Sequence, residues 1–205
     1  MCNRFRVSAK QLELAERYGV DPNDLMPDPE RLPPPELFPK KPGWIARDKG
    51  GRRRLDVMEW GVPVNVKNPK TGEITTRPVT NVRNLASGFW RNMLSNPANR
   101  CLVPVTEFAE PEGEMGSKVW RWFSLPSAPI FSFAGVWRQT EVGPAFAFLT
   151  CGYDGDPAAH IVGKVHPKAC PVILHREDEE HWLNGDAERV CSLASAFPSQ
   201  LMKVA

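Results

Sequence analysis

The residues of this 205-residue chain best suited to chemistry stand at its start, in Met1-Cys2-Asn3-Arg4-Phe5-Arg6. Cysteine is small enough beside an initiator for an aminopeptidase to remove Met1. Cys2 would then carry an α-amine and a thiol on adjacent carbons. These titrate near ~8 and ~8.5, so both nucleophiles are usable at neutral pH. A 1,2-aminothiol reacts with aldehydes as no other terminus does: the amine condenses to a Schiff base and the thiol closes a thiazolidine ring. Arg4 and Arg6 are expected to lower the thiol pKa and could hold a phosphate. On position alone Cys2 is also readable as an inert small residue after the start.

Other candidates lie downstream. Glu110 follows the apolar run Cys101-Leu102-Val103-Pro104-Val105. A carboxylate at the end of a buried strand can sit in a pocket with a raised pKa and shuttle protons; the bland alternative is a solvated loop glutamate. His166 precedes a buried strand in VHPKACPVIL, residues 165–174, and is either a proton carrier or a structural histidine. Asn81 and Arg83 alternate after Val79, which predicts that they share one strand face. An amide and a guanidinium there suit positioning and phosphate binding, or a plain surface. Zinc would draw on Cys101, Cys151, Cys170, His160, His166 and His175, but no two stand at a usual ligand spacing, so no metal and no cofactor is expected. A Cys–His hydrolase would use Cys2 or Cys151; no family nucleophile signature surrounds Cys151.

These residues must be positioned by strands and short helices. Ser8 to Gln11 reads as a capping box opening a helix with Leu12, Ala15 and Tyr18 as its apolar stripe and Gly19 as its stop. Residues 22–42 are proline-rich and predict an ordered loop that buries Leu25, Met26, Leu32, Leu37 and Phe38. Residues 44–46 and 55–60 predict paired strands around a basic turn, solvated or phosphate-contacting. Val62–Val66 and Ile74–Thr76 flank a hairpin signal at Asn68-Pro69-Lys70-Thr71-Gly72. Ser87 predicts the cap of a short helix carrying Phe89, Trp90, Met93 and Leu94, ended by Asn96-Pro97. Cys101–Val105 reads as a central strand, and residues 120–125, 130–137, 145–150 and 171–174 as further strands. Glu177–Leu183 reads as a terminal helix stopped at Asn184-Gly185.

Composition sets the bounds. Hydrophobic residues make up 41% and charged residues 24%, and the net charge is only +2, so the polyanion signal is weak. No apolar run approaches ~18 residues and no secretory pattern opens the chain. Five scattered cysteines argue for a reducing cytoplasm rather than a disulfide framework. Twenty-one prolines disfavour long helices. The expectation is one domain, residues 1–205, of α+β class: a mainly antiparallel, β-barrel-like sheet with a few short peripheral helices.

In order along the chain, Met1-Cys2-Asn3-Arg4-Phe5, Trp60-Gly61, Asn81-Val82-Arg83, residues 101–110, residues 130–137, Leu149-Thr150, His166 with its Pro-Val-Ile-Leu strand, and Trp182-Leu183 resemble the SOS response-associated peptidase (SRAP) family. Members of that family crosslink to abasic sites in single-stranded DNA. The resemblance implies a β-barrel fold with a basic groove, self-removal of Met1, and a monomer whose partner is single-stranded DNA containing abasic sites, with no membrane. It implies that Cys2 attacks the ring-opened sugar aldehyde and that Asn81 orients the Cys2 terminus. Glu110 would move protons during Schiff-base formation and closure, His166 would assist sugar ring opening, and Arg4 and Arg83 would hold flanking phosphates.

The chain departs from the family pattern at Asn3 (usually glycine), at Leu85 (usually glutamate), and at Pro39-Lys40-Lys41-Pro42, which replaces an Asn-x-Ala-Pro stretch. It also lacks an aromatic wedge after Trp60-Gly61, where residues 62–79 read as a hairpin insertion. Two rival functions remain at this point: a cysteine-type peptidase acting on proteins, and a non-covalent single-stranded DNA-binding module.

Overall fold

The computed structural model describes residues 2–26, 28–113 and 119–205. Among them the chain runs β1 (Phe5–Arg6), α1 (Gln11–Tyr18), β2 (Glu36–Leu37), β3 (Pro42–Lys49), β4 (Arg52–Trp60), β5 (Val62–Lys67), β6 (Ile74–Val79), β7 (Asn81–Val82) and α2 (Gly88–Ser95). It continues through β8 (Arg100–Val105), β9 (Glu107–Pro111), β10 (Trp120–Ser124), β11 (Phe131–Thr140), β12 (Gly143–Cys151), β13 (Cys170–Pro171), β14 (Ile173–Leu174), α3 (Glu179–Asn184), α4 (Ala187–Ser192) and β15 (Lys203–Val204). The expected class holds: mostly β, with short helices at the periphery.

The barrel follows from the pairings. β3 pairs with β4 and β8, β8 with β11, β11 with β12, and β12 returns to β4, so five strands close on themselves. All of these ladders are antiparallel except the closing one, where Ala145 and Phe146 run parallel to Glu59 and Trp60. Closure removes the open edges a sheet would otherwise expose. Gly50 and Gly51, both at positive φ, make the tight turn between β3 and β4 that Lys49↔Arg52 pairing demands. A second sheet, ordered β15-β10-β9-β1-β2, brings the first residues of the chain between two later and distant strands. The aromatic core includes Phe5, Phe108 and Phe123 of this sheet and Trp60, Phe133 and Phe148 of the barrel. Phe5 meets Trp60 edge-on at 4.9 Å, and Phe108 meets Phe133 at 5.6 Å.

Several expectations are corrected. α1 begins after Lys10, whose N–H donates to Glu13 at 2.6 Å, so the capping partner lies two residues beyond Ser8. Its buried face is Leu14, Ala15 and Tyr18, and Leu12 is 66% exposed. Leu37 is buried from residues 22–42, but Leu32 and Phe38 remain 37% and 42% exposed. Residues 171–174 do not form one strand. Val172 donates to Leu149 and accepts from Ala134, so the segment crosses from β12, as β13, to β11, as β14. The hairpin over residues 62–79 forms as expected, in register from Val62↔Val79 to Lys67↔Ile74.

Candidate functional site

Cys2 sits where β1 leads into the interior. Phe5 and Arg6 pair with Phe108 and Glu107 of β9. The Arg4 carbonyl accepts the Ala109 N–H at 2.9 Å, which fixes the residues before it against the same strand. Cys2 is fully buried, and its thiol donates weakly to the carbonyls of Arg4, at 3.6 Å, and Ala109, at 3.9 Å. Asn81, on β7, donates from Nδ2 to the Cys2 carbonyl at 3.0 Å and to Thr80 Oγ1 at 2.8 Å. β7 holds this position because it pairs with the barrel strand β12, Phe148↔Asn81.

Glu110 is not a loop residue after the central strand. The chain breaks at Thr106 and restarts as β9 in the other sheet, where Glu110 lies two residues from the core residue Phe108. Period-two alternation turns both side chains inward. Glu110 is fully buried, and neither carboxylate oxygen has a hydrogen-bond partner among the described residues. Burial pushes its carboxyl up to about 7. Asn81 Oδ1 and Thr150 Oγ1 are likewise buried without a partner. Unsatisfied buried polar atoms are costly, and those of Glu110 and Asn81 stand out because Asn81 holds the Cys2 carbonyl.

The Cys2 thiol behaves opposite to the expectation from its flanking arginines. Burial, and then the Glu110 charge, raise its pKa well above the usual thiol range. The arginines act elsewhere. Arg4 donates from Nε to Glu36 Oε1 at 2.6 Å, and Arg6 donates to Oε2 at 3.0 Å and to Glu107 at 3.4 Å. The Arg4 guanidinium also lies 5.1–5.4 Å from the rings of Phe38, Trp120 and Trp122. Although burial works against it, Glu36 is held below the usual carboxylate range by the hydrogen bonds from Arg4 and Arg6. Glu36 was not legible as a site residue; its only sequence signal is a lone acid in a proline-rich stretch.

His166 lies half-buried at the start of the segment leading to β13. Its Nδ1 donates to the Ala169 carbonyl at 2.8 Å, which makes Nε2 the basic nitrogen. Burial lowers its pKa from the usual histidine value, so the ring is neutral at pH 7. Tyr153 donates to the His166 carbonyl at 2.8 Å, tying this segment to the end of β12. His160 is consumed structurally: Nδ1 accepts from Val162 N–H at 3.1 Å, and Nε2 donates to the Phe197 carbonyl at 2.8 Å. Arg83 does not share a face with Asn81, because β7 ends at Val82 and the chain turns out. Arg83 is exposed and donates to the Lys168 carbonyl at 2.8 Å. Cys2 and Asn81 are thus in direct contact, with Glu110 on the strand segment beside them. Arg83 borders the His166 segment, and Arg4 is engaged on the outer side of the second sheet.

In the basic turn, Arg53 pairs with Asp48 and Glu180, and Arg54 pairs with Asp24. Among the described residues, no three His, Cys, Asp or Glu side chains converge as a metal site, and no helix is long and apolar enough to cross a membrane.

Comparison with known proteins bears on this site. The family model described as SOS response associated peptidase (SRAP) matches residues 1–205. No protein of curated function matches. Crystal structures of three bacterial proteins share the fold. One from Bordetella bronchiseptica is 22% identical, with 100% of this chain and 98% of that chain covered and a TM-score of 0.74. One from Bacteroides thetaiotaomicron is 23% identical, with 99% and 90% covered and a TM-score of 0.75. A phage-related protein from Bordetella bronchiseptica is 18% identical, with 100% and 93% covered and a TM-score of 0.71.

Proposed function

The chain belongs to the SOS response associated peptidase family, and from that premise we propose that it captures abasic sites in single-stranded DNA through Cys2 once Met1 has been removed. Met1 itself lies outside the described residues. The observation that carries this reading is the placement of Cys2: fully buried, its carbonyl held by Asn81, beside a carboxyl with a pKa raised to about 7.

The chemistry needs such a carboxyl in both protonation states. The Cys2 amine adds to the aldehyde of the opened sugar. Glu110, protonated, gives its proton to the carbinolamine oxygen, which leaves as water and yields the protonated imine. Glu110, now ionised, takes the proton of the Cys2 thiol as sulfur adds to the iminium carbon. The ring nitrogen keeps its proton as the thiazolidine closes, and Glu110 is protonated again. A thiol with a raised pKa waits neutral until that base is present, which suits the order amine first, sulfur second. Neutral His166 can accept a proton at Nε2 from the sugar hydroxyl during ring opening. Arg83, exposed beside the His166 segment, would contact a flanking phosphate. Arg4 would do so after exchanging Glu36 for the phosphate. An abasic nucleotide offers no base edge, so recognition rests on backbone contacts and stacked neighbours.

The test is intact mass after incubation with single-stranded DNA bearing one abasic site. Processed protein should gain the oligonucleotide mass less water, and Cys2→Ser should lose that adduct while retaining non-covalent binding. A processed protein that gains nothing would defeat the proposal, and turnover of unrelated peptides without DNA would favour a peptidase acting on other proteins.

A further inference from the structure

Two cysteines that the proposed reaction does not use face each other beside the site. Cys151 ends β12 and Cys170 begins β13, and they are direct partners in that antiparallel ladder. Their sulfurs are 3.7 Å apart, and both are free thiols. Opposed residues of an antiparallel pair have Cα atoms about 4.5–5.5 Å apart, inside the range a disulfide spans. Bringing the sulfurs to the bonded distance of about 2.05 Å needs side-chain rotation and a small approach of strands already in register. We propose that Cys151 and Cys170 are a reversible redox site, oxidised by hydroperoxides to an intramolecular disulfide.

The two sulfurs differ in a way that assigns their roles. Cys151 is half-buried and reachable from solvent, whereas Cys170 is buried. The Cys170 thiol hydrogen-bonds to Cys151 and lowers its pKa; the same contact, with burial, raises that of Cys170. Cys151 as thiolate attacks a peroxide oxygen, the O–O bond breaks, and water (or an alcohol) leaves with a proton from the medium, giving a sulfenic acid. The Cys170 sulfur then attacks that sulfur and releases its own proton. The hydroxyl leaves with this proton as a second water. Two thiols lose two electrons and one peroxide gains them; a thiol reductant reverses the step.

The bond would close residues 151–170 into a covalent loop. That loop carries Tyr153 and His166, already joined by the Tyr153 hydroxyl and the His166 carbonyl. Oxidation would therefore fix the segment bearing the proposed proton carrier without touching Cys2, which lies buried ahead of β1. This inference stands on the thiol pair alone and does not depend on the DNA reading.

The test uses the full chain, reduced and then treated natively with a small excess of hydrogen peroxide. The protein is alkylated in denaturant and digested without reductant; cleavage after Lys164 and Lys168 separates the two cysteines. The expected result is one linked peptide pair, Cys151 to Cys170, two of the five thiols refractory to alkylation, and full recovery with dithiothreitol. In Cys170→Ser the sulfenic acid should persist at Cys151 and be trapped by dimedone; should that variant fail to fold, the wild-type map decides alone. Five alkylatable thiols after peroxide, a bond between any other pair, or direct passage of wild-type Cys151 to the sulfinic acid would overturn the proposal.

Discussion

At the residue scale the informative side chain is Glu110, because its environment turns into a measurable pH dependence. Its folded pKa of about 7 stands above the usual glutamate value of 4.5. Between those two values the folded protein binds the extra proton. Stability is therefore complete below about pH 4.5 and falls as pH rises to about 7, by up to about 3 kcal/mol. Glu110→Gln cannot ionise, so its unfolding free energy should lack this slope and should exceed that of the wild type at pH 8. Urea titrations at pH 5 and pH 8 check this; a parallel loss in both proteins would mean that Glu110 is not the group responsible. The same variant should lose crosslinking, since it can neither give nor take the proton. Cys2, Asn81, Glu110 and His166 could be singled out in the sequence as candidates, their roles only through the family resemblance, and the structure puts Asn81 on the Cys2 carbonyl. Their energetics were not. The flanking arginines suggested an acidified thiol, but Arg4 and Arg6 pair with Glu36, whose proximity arises from a strand pairing that local sequence does not encode.

At the element scale, α1 is fastened by a buried cluster rather than by its own propensity. Arg17 makes two hydrogen bonds to Glu179, at 3.0 and 2.7 Å, Ser132 donates to the same carboxylate at 2.5 Å, and Tyr18 bonds Ser132 at 2.9 Å. The cluster joins α1, β11 and α3. Arg17→Met leaves Glu179 charged and mostly buried, and should cost about 3 kcal/mol at pH 7. Arg17→Met with Glu179→Leu should recover much of that loss, because no unpaired charge remains; equal losses in the single and double variants would refute this account. β8, a continuous apolar run, and β11 and β12, with their alternating phenylalanines, were readable in advance, and so were the β5–β6 hairpin and α2. β2, β7, β13 and β14 were not readable as separate elements. Each is two residues long, and its identity comes from the strand it touches rather than from its own pattern.

At the scale of the whole molecule, the net charge is only +2 and several arginines are internally paired. Arg4, Arg6, Arg17, Arg47, Arg53, Arg54 and Arg121 all contact carboxylates. Single-stranded DNA binding should therefore show only a shallow salt dependence. Glu36→Gln releases Arg4 and Arg6 from their shared anion. If one more phosphate is then neutralised, the slope of log K against log salt steepens by about 0.7, and affinity at 0.1 M salt rises about 5-fold. Fluorescence anisotropy across a salt series reads both; an unchanged slope would mean that Arg4 does not meet phosphate. The second sheet carries a further consequence, which concerns the order of synthesis. Cys2 reaches its interior position only against β9, 107 residues further along the chain. At ~5–20 residues per second, the ribosome needs roughly 5–20 s to make that partner. Throughout that interval β2 is the one partner that β1 has been given, the strand that buries Cys2 is missing, and the nascent terminus stays open to the cell's processing enzymes. The burial that later shields the thiol thus begins only after the time in which Met1 can be trimmed.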